Sequence, residues 1–264
     1  MTSIISNMPI ADYHAHPAIS KSGLDKIAQS PAHYRSSIFE PHIQTDAMVI
    51  GSAFHDFVLS PHVFETSYTV LPSDFDGRKK DGKELMRIIQ ESGRIALKHE
   101  WFTTIKNMAT SVRRHPRAAA LLSSGEAEAS IFWTDHETGL ECRCRPDFIH
   151  EKGILVDLKS TVSASPDDFA KSAANLRYHV QDAFYSEGYY RAHGKWARGF
   201  VFIAVEKTAP FAVACYELDD EARELGRALF QDNLRTLAQA KQTDTWTAYS
   251  EEIETLSLPR WAFN

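Results

Sequence analysis

Two short stretches carry acids and a base at a spacing that could do chemistry: Arg145-Pro146-Asp147 and, after a turn, Val156-Asp157-Leu158-Lys159. Side chains of a strand alternate between its faces, so Asp157 and Lys159 project side by side while Leu158 points into the core. A neighbouring strand would bring Asp147 alongside Asp157. Two carboxylates and a lysine then line a hard-oxygen pocket suited to magnesium, which takes one or two carboxylates together with water and phosphate. For a lone Asp-x-Lys, an ordinary surface ion pair is the plainer reading. The apolar run at residues 154–156 instead makes this pair the exposed tip of a buried strand, a position where sites are often built.

Other candidates have plain alternatives. His55 follows Phe54 on an apolar helical pattern, where a satisfied packing histidine is the default. Gln181 and Tyr185 stand four apart on one helical face and can jointly position the strand or the lysine, or simply pack. Glu128 opens the first core strand, and a structural role suits it better than a place in a metal site. The run Asp12-Tyr13-His14-Ala15-His16 has the His-x-His form that begins the metal site of amidohydrolase barrels. Those barrels need strands and helices alternating throughout the chain. Residues 83–122 read as helical and the segment around Ile4 makes a poor first strand, so His14 and His16 are expected in an N-terminal loop.

The elements that must position these groups follow from periodicity and breakers. Residues 20–35 read as a short helix with Leu24, Ile27 and Ala28 on one face, closed by Ser30-Pro31. A second helix, residues 46–59, turns Val49, Phe54, Val58 and Leu59 inward and stops before Pro61. Residues 72–82, rich in Asp, Gly and Lys, predict a mobile loop, and helical patterning dominates residues 83–122 with a break at Pro116. From Glu128 the pattern changes to strands at residues 129–133, 140–149 and 154–158, the first two joined as a hairpin through Asp135-His136-Glu137-Thr138-Gly139. Ser165-Pro166-Asp167-Asp168 supplies a cap, a proline at the first helical position and an acid, which together start a helix. Another helix is expected at residues 179–192, strands at 199–205 and 211–217, and a long helix at 220–241. This order predicts an α/β (α+β) fold, with a central mixed β-sheet flanked by helices and an N-terminal helical segment. Residues 1–264 are read as one domain, 1–125 mainly helical and 126–264 the catalytic core.

Composition narrows the partners. With 264 residues, 43% of them apolar, the chain can bury a substantial core. A net charge of −6 argues against a general polyanion binder, so any nucleic-acid surface must be local. Arg113-Arg114-His115-Pro116-Arg117 and Lys79-Lys80 are the basic runs that could form one. Three cysteines without a CxxC pair make a disulfide framework or a cysteine-held metal or cluster improbable. No apolar run would span a bilayer and the first ten residues do not read as a signal peptide, which predicts a soluble, cytoplasmic protein without a membrane partner.

A resemblance then joins these pieces. Gly51-Ser52-Ala53-Phe54-His55, Arg145-Pro146-Asp147, Asp157-Leu158-Lys159 and Gln181-Asp182-Ala183-Phe184-Tyr185 resemble, in order, the successive motifs of RecB-type PD-(D/E)xK nucleases. Ile19-Ser20-Lys21-Ser22-Gly23-Leu24, Ser30-Pro31-Ala32-His33-Tyr34 and Leu258-Pro259-Arg260-Trp261-Ala262 are similar to RecE-like (exonuclease VIII) nuclease domains, so the similarity spans nearly the whole chain. One departure is Asp157, where many relatives carry Glu. The resemblance implies a restriction-endonuclease-like core in which Asp147, Asp157 and the Leu158 carbonyl hold magnesium, with manganese able to substitute, and His55 completes the shell. Lys159 would orient or deprotonate the attacking water, and Gln181 and Tyr185 would position the strand or the lysine. It implies an exonuclease that resects the 5′-ended strand at double-stranded DNA ends, working as a tetrameric or trimeric ring and feeding a single-strand annealing protein. Another RecB-type activity, endonucleolytic or single-strand specific, remains the alternative. The chain lacks a Walker-type GKT or GKS, so it would not unwind DNA with ATP.

Overall fold

The computed structural model describes residues 2–40 and 44–263. Its first half runs β1 (Ser3–Ile5), α1 (Ile10–Ala15), α2 (Lys21–Gln29), α3 (Pro31–Phe39), α4 (Asp46–Leu59), α5 (Pro61–Ser67), β2 (Tyr68–Val70), α6 (Lys80–Glu91), β3 (Ile95–Leu97), α7 (His99–Arg114) and α8 (Pro116–Leu121). The second runs β4 (Gly125–Ala127), β5 (Ser130–Thr134), β6 (Glu141–Cys144), β7 (Phe148–His150), β8 (Ile154–Thr161), α9 (Pro166–Asn175), α10 (Tyr178–His193), β9 (Gly199–Glu206), β10 (Val213–Tyr216) and α11 (Asp220–Thr243), then a 3-10 turn at Arg260–Phe263. Side-chain caps set many of the helix starts: Ser20, Ser30, Thr45, Ser165 and Asp219 each accept a hydrogen bond from a first-turn amide. Ser30 ends α2 and caps α3, so the stretch read as one helix over residues 20–35 is two helices hinged at that serine.

A five-stranded mixed sheet in the order β10-β9-β8-β7-β4 forms the centre. Strand β8 pairs parallel with β9 along its full length, from Ile154 opposite Gly199 to Thr161 opposite Glu206. On its other side, antiparallel pairing with β7 covers only Ile154 to Val156. From Asp157 onward that side of β8 has no strand partner. One face of the sheet packs Val156, Leu158, Ile203 and Val205 against α4, α7 and α8. The other packs Leu155, Phe200, Phe202 and Ala204 against Phe169 of α9 and Tyr178, Tyr185 and Tyr189 of α10. A three-stranded sheet, β1-β5-β6, places Ile131, Trp133, Cys142 and Cys144 against α2, α10 and α11. Helix α11 crosses α10 closely at Gly226, where a Cβ would sit 2.0 Å from the His179 carbonyl oxygen. Any larger residue there would push α10 away from the sheet.

The mixed α/β architecture, the β5–β6 hairpin and the long last helix match the sequence expectations. Others need correction. The strand expected over residues 140–149 is two strands in different sheets, because Pro146 offers no ladder amide and the chain crosses between sheets there. The helical stretch over residues 83–122 is interrupted by Gly93 in a left-handed conformation and by β3, which pairs parallel with β2, a strand the sequence reading missed. Helix α6 already begins at Lys80, inside the expected loop. Residues Ser3–Ile5 do form a strand, paired with β5. All three cysteines are free thiols, and among the described residues no helix is long and apolar enough to cross a membrane.

Candidate functional site

The site lies at the start of β7, where β8 runs on beyond it. The pairing of β7 with β8 starts at Phe148, and Asp147 just before it turns its carboxylate so that Oδ2 accepts the Leu158 amide at 2.7 Å. The carboxylate thus satisfies a strand amide that β7 has left unpaired. The N–H and C=O of one strand residue leave on the same side, so the Leu158 carbonyl also faces Asp147. From the α4 layer, His55 brings Nδ1 to 3.4 Å from the same Oδ2. Its neighbour Phe54 is fully buried in the apolar layer beneath and anchors the helix at that point.

Asp157 and Lys159 share the opposite face of β8, as strand alternation requires. Lys159 Nζ lies 2.7 Å from Asp157 Oδ2 and donates to Gln181 Oε1 at 3.1 Å, while the Gln181 amide donates to Asp157 Oδ1. Gln181 therefore bridges acid and base, and the Tyr178 ring lies under the ammonium at 4.7 Å. Sequence reasoning placed this pair at an exposed strand tip, which the structure corrects. Asp157 is 2% exposed, because β9 flanks β8 beyond it and α10 covers it. Tyr185 stands one turn beyond Gln181, packs against two apolar clusters and lines the cleft in front of the lysine. The aromatic contact on Lys159 comes from Tyr178, which the sequence reading overlooked although it lies three residues before Gln181 on the same helix.

The electrostatics separate the two acids. Burial alone would raise Asp147, but the His55 charge and hydrogen bond, Lys159 and the Leu158 amide hold it below the ordinary carboxylate range. Burial raises Asp157, the Asp147 charge adds to the rise, and Lys159 only partly offsets it. Burial would lower His55, yet Asp147 carries it up to about 9, and the two acids keep Lys159 above its usual value despite burial. Both bases are therefore cationic at neutral pH in this arrangement.

The donor set suits a hard divalent cation. Asp157 Oδ2 is buried with no hydrogen-bond donor, its contact with Lys159 being an ion pair outside hydrogen-bond geometry. The two carboxylates also repel one another, which an added cation would relieve. Among the described residues no three His, Cys, Asp or Glu side chains form a closed metal-holding group. An acidic pair supplemented by a carbonyl, water and phosphate is how magnesium is commonly held. His55 Nδ1 is engaged with Asp147 in this arrangement, so His55 first of all orients that acid.

The remaining sequence candidates lie apart from this centre. Glu128 has a left-handed backbone and accepts a hydrogen bond from Arg145 at 2.9 Å, and its amide donates to the Asp147 carbonyl, so it braces the turn that carries Asp147. His14, expected in a loop, instead lies in the short helix α1 and lines the same cleft as Lys159, its carbonyl accepting from Arg143, while His16 follows the helix and its ring accepts from the Ala18 amide. No closed eight-stranded barrel is present among the described residues, so the amidohydrolase alternative falls. Arg113 and Arg114 close α7, with Arg113 reaching the Phe57 carbonyl on α4. In the C-terminal motif, the Trp261 side chain lies outside the described residues.

A family model described as a "PDDEXK-like domain of unknown function (DUF3799)" matches residues 20–259. Among solved structures, one described as a "Putative exonuclease" from Eubacterium rectale superposes with a TM-score of 0.68 at 14% identity, covering 97% of this chain and 96% of its own, a likeness in fold. A second, described as SSO0001, has a TM-score of 0.30 at 14% identity, covering 73% of this chain and 86% of its own. No curated protein matches the chain.

Proposed function

The chain belongs to the PDDEXK-like family, and from that premise we propose that it is a magnesium-dependent exonuclease that degrades linear double-stranded DNA from the 5′ end. One observation carries the reading: two carboxylates, a lysine and a glutamine converge where β8 outruns β7. Asp147, Asp157 and the Leu158 carbonyl would hold the ion, magnesium or manganese, with His55 beside them. Such an ion, when bound, neutralises the scissile phosphate and acidifies water.

The chain's own groups do the rest. Lys159 places a positive charge against the phosphate as negative charge builds on its oxygens during in-line attack. Gln181 and the Tyr178 ring hold the ammonium in place, so it need not be reorganised during the reaction. His55 fixes the rotation of Asp147, and Tyr185 forms the wall of the cleft along which the strand approaches Lys159.

The finer activity follows the resemblance to RecE-like nucleases. Residues 1–264 act as one catalytic unit, a tetrameric or trimeric ring holds the duplex, and the 3′ single-stranded tail passes to an annealing protein. An acidic chain of net charge −6 grips DNA poorly alone, and a ring can concentrate its cations on an inner channel. Linear duplex labelled separately at each end, with magnesium and without ATP, tests the reading. Early release of 5′ label as mononucleotides supports it. Early release of 3′ label, or equal cutting of closed circular duplex, makes the chain another RecB-type nuclease.

A further inference from the structure

We propose that the cleft in front of the catalytic lysine contains a binding subsite for a second nucleotide phosphate, and that Asp25 is the built-in counter-anion which this phosphate displaces. The proposal rests on the nuclease reading of the adjoining site. The cleft, about 710 Å³ in volume, runs from Lys159, Gln181 and Tyr185 to Lys21, Arg143 and Arg177. Four cations in one concavity stand out in a chain of net charge −6, and a concave cationic wall focuses potential on an incoming anion.

Two of these cations sit at the wrong pole of a helix. Lys21 is the first residue of α2 and Arg177 is the N-cap of α10, and helix N-termini favour anions. The anion between them is Asp25, with Oδ2 2.7 Å from Lys21 and Oδ1 3.5 Å from Arg177. Lys21 also donates to the Leu176 carbonyl at 2.7 Å, while Asp25 Oδ1 is buried without a hydrogen bond, so on the Arg177 side the carboxylate is held by charge alone. Arg143 is 7% exposed, and its Nε is also buried without a partner, while its terminal nitrogens hold the Tyr13 and His14 carbonyls. A phosphate offers more acceptor oxygens than one carboxylate and can satisfy several donors together. Burial lowers Lys21, the Asp25 hydrogen bond and charge only partly offset this, and the Lys159 and Arg177 charges lower it further, so the subsite and the catalytic lysine share one field. Arg177 also adopts a left-handed backbone, with φ of 55°, and its guanidinium donates to Asn233 Oδ1 and the Leu24 carbonyl.

Calorimetric titration of the full chain in EDTA at low ionic strength reads the subsite without any cleavage. The probes are thymidine 5′-monophosphate, thymidine 3′-monophosphate and the phosphodiester dTpdT. We expect Lys21→Gln to weaken binding ~10-fold and Asp25→Asn, which keeps the side chain's size, to tighten it by a similar factor, as one charge-assisted hydrogen bond is lost or released. Lys21→Arg keeps the charge and should bind as the unmodified chain does, which separates charge from folding. Preference for the monoesters puts a strand terminus in the cleft, and equal binding of the diester puts an interior phosphate there, and both support the subsite. Absence of binding to all three probes, or an Asp25→Asn variant that binds no tighter, overturns it. Either negative leaves the nuclease reading standing, which fails instead if the unmodified chain does not cleave DNA.

Discussion

The two faces of β8 solve opposite problems with alternate residues. Val156 and Leu158 enter a wholly apolar layer, packed on Ile203 and Val205 of the neighbouring strand and on α4 and α7. Asp157 and Lys159, one position away, are turned toward Gln181, Tyr178 and Tyr185, the acid buried and the lysine at the inner end of the cleft. Burial on the first face is stabilising at roughly 25 cal/mol per Å² of apolar surface. On the second face it holds an acid above its ordinary range and leaves a carboxylate oxygen without a donor. The strand is a rigid ruler whose apolar side supports the unfavourable arrangement on its polar side. Substitutions on the two faces should therefore separate activity from stability.

The largest effect is expected on the polar face. Asp157→Asn or Lys159→Gln should slow cleavage of linear duplex by ~10³-fold, the scale seen when a preorganised charge at a reacting group is removed. End-labelled digestion measures it, with circular dichroism to check the fold. Near-normal cleavage by either purified variant would remove that residue from the chemistry. On the apolar face, Ile203→Ala should cost about 2–5 kcal/mol by opening a cavity beside Leu158, with cleavage per folded molecule within a few-fold of the unmodified chain. Urea denaturation reads the first quantity. If Ile203→Ala instead abolished cleavage without loss of stability, the two faces would not be separable.

A third substitution asks whether an acid buried away from the site behaves differently. Asp182, next to Gln181, is 1% exposed, accepts from Ser186, and burial lifts it to about 7, with Arg223 and Arg227 opposing the rise and Glu217 adding to it. Between the unfolded value of about 4 and that folded value, the folded chain keeps a proton that the unfolded chain has released. Stability then falls as pH rises through this window and levels off above it. Asp182→Asn should remove the slope and gain about 2–4 kcal/mol at pH 8, since each tenfold change in proton affinity is worth roughly 1.4 kcal/mol. At pH 4 the two proteins should differ little. Parallel stability–pH curves in urea would show that Asp182 ionises normally.

Much of this layout could be read from residue order alone, and the misses share a cause. Helix caps such as Ser165 and the strand alternation that pairs Asp157 with Lys159 are local, so the sequence displays them directly. The break between β6 and β7 is less local: an apolar run through Pro146 looks continuous until the two halves are seen to join different sheets. Burial of Asp157 depends on Phe202 of β9, its partner across the ladder, and on Gln181 of α10, and no window around the motif contains either. The cations Lys21, Arg143 and Arg177 lie scattered along the chain and meet only in the cleft.

The smallest expected effect falls where the two layers touch. His55 rides on α4 of the apolar layer, yet its ring serves the polar face by holding Asp147 Oδ2, the oxygen that also accepts the Leu158 amide. Removing the imidazole leaves Asp147 tied to that amide but takes away the charge and the hydrogen bond that do most to offset its burial, so the carboxylate loses its fixed orientation and part of what keeps it ionised. Groups that orient a metal ligand typically change metal affinity by about 10–100-fold. His55→Ala should accordingly need ~10–100-fold more magnesium for half-maximal cleavage, with the rate at saturating magnesium much less affected. His55→Gln, which can still offer a hydrogen bond to Asp147, should recover part of the loss if orientation is the main role. Should His55→Gln match His55→Ala while both lower the saturated rate, direct ligation by the imidazole would be the better account. An unchanged magnesium titration in both variants would return His55 to packing, and the boundary between the two faces would then run through Asp147 alone.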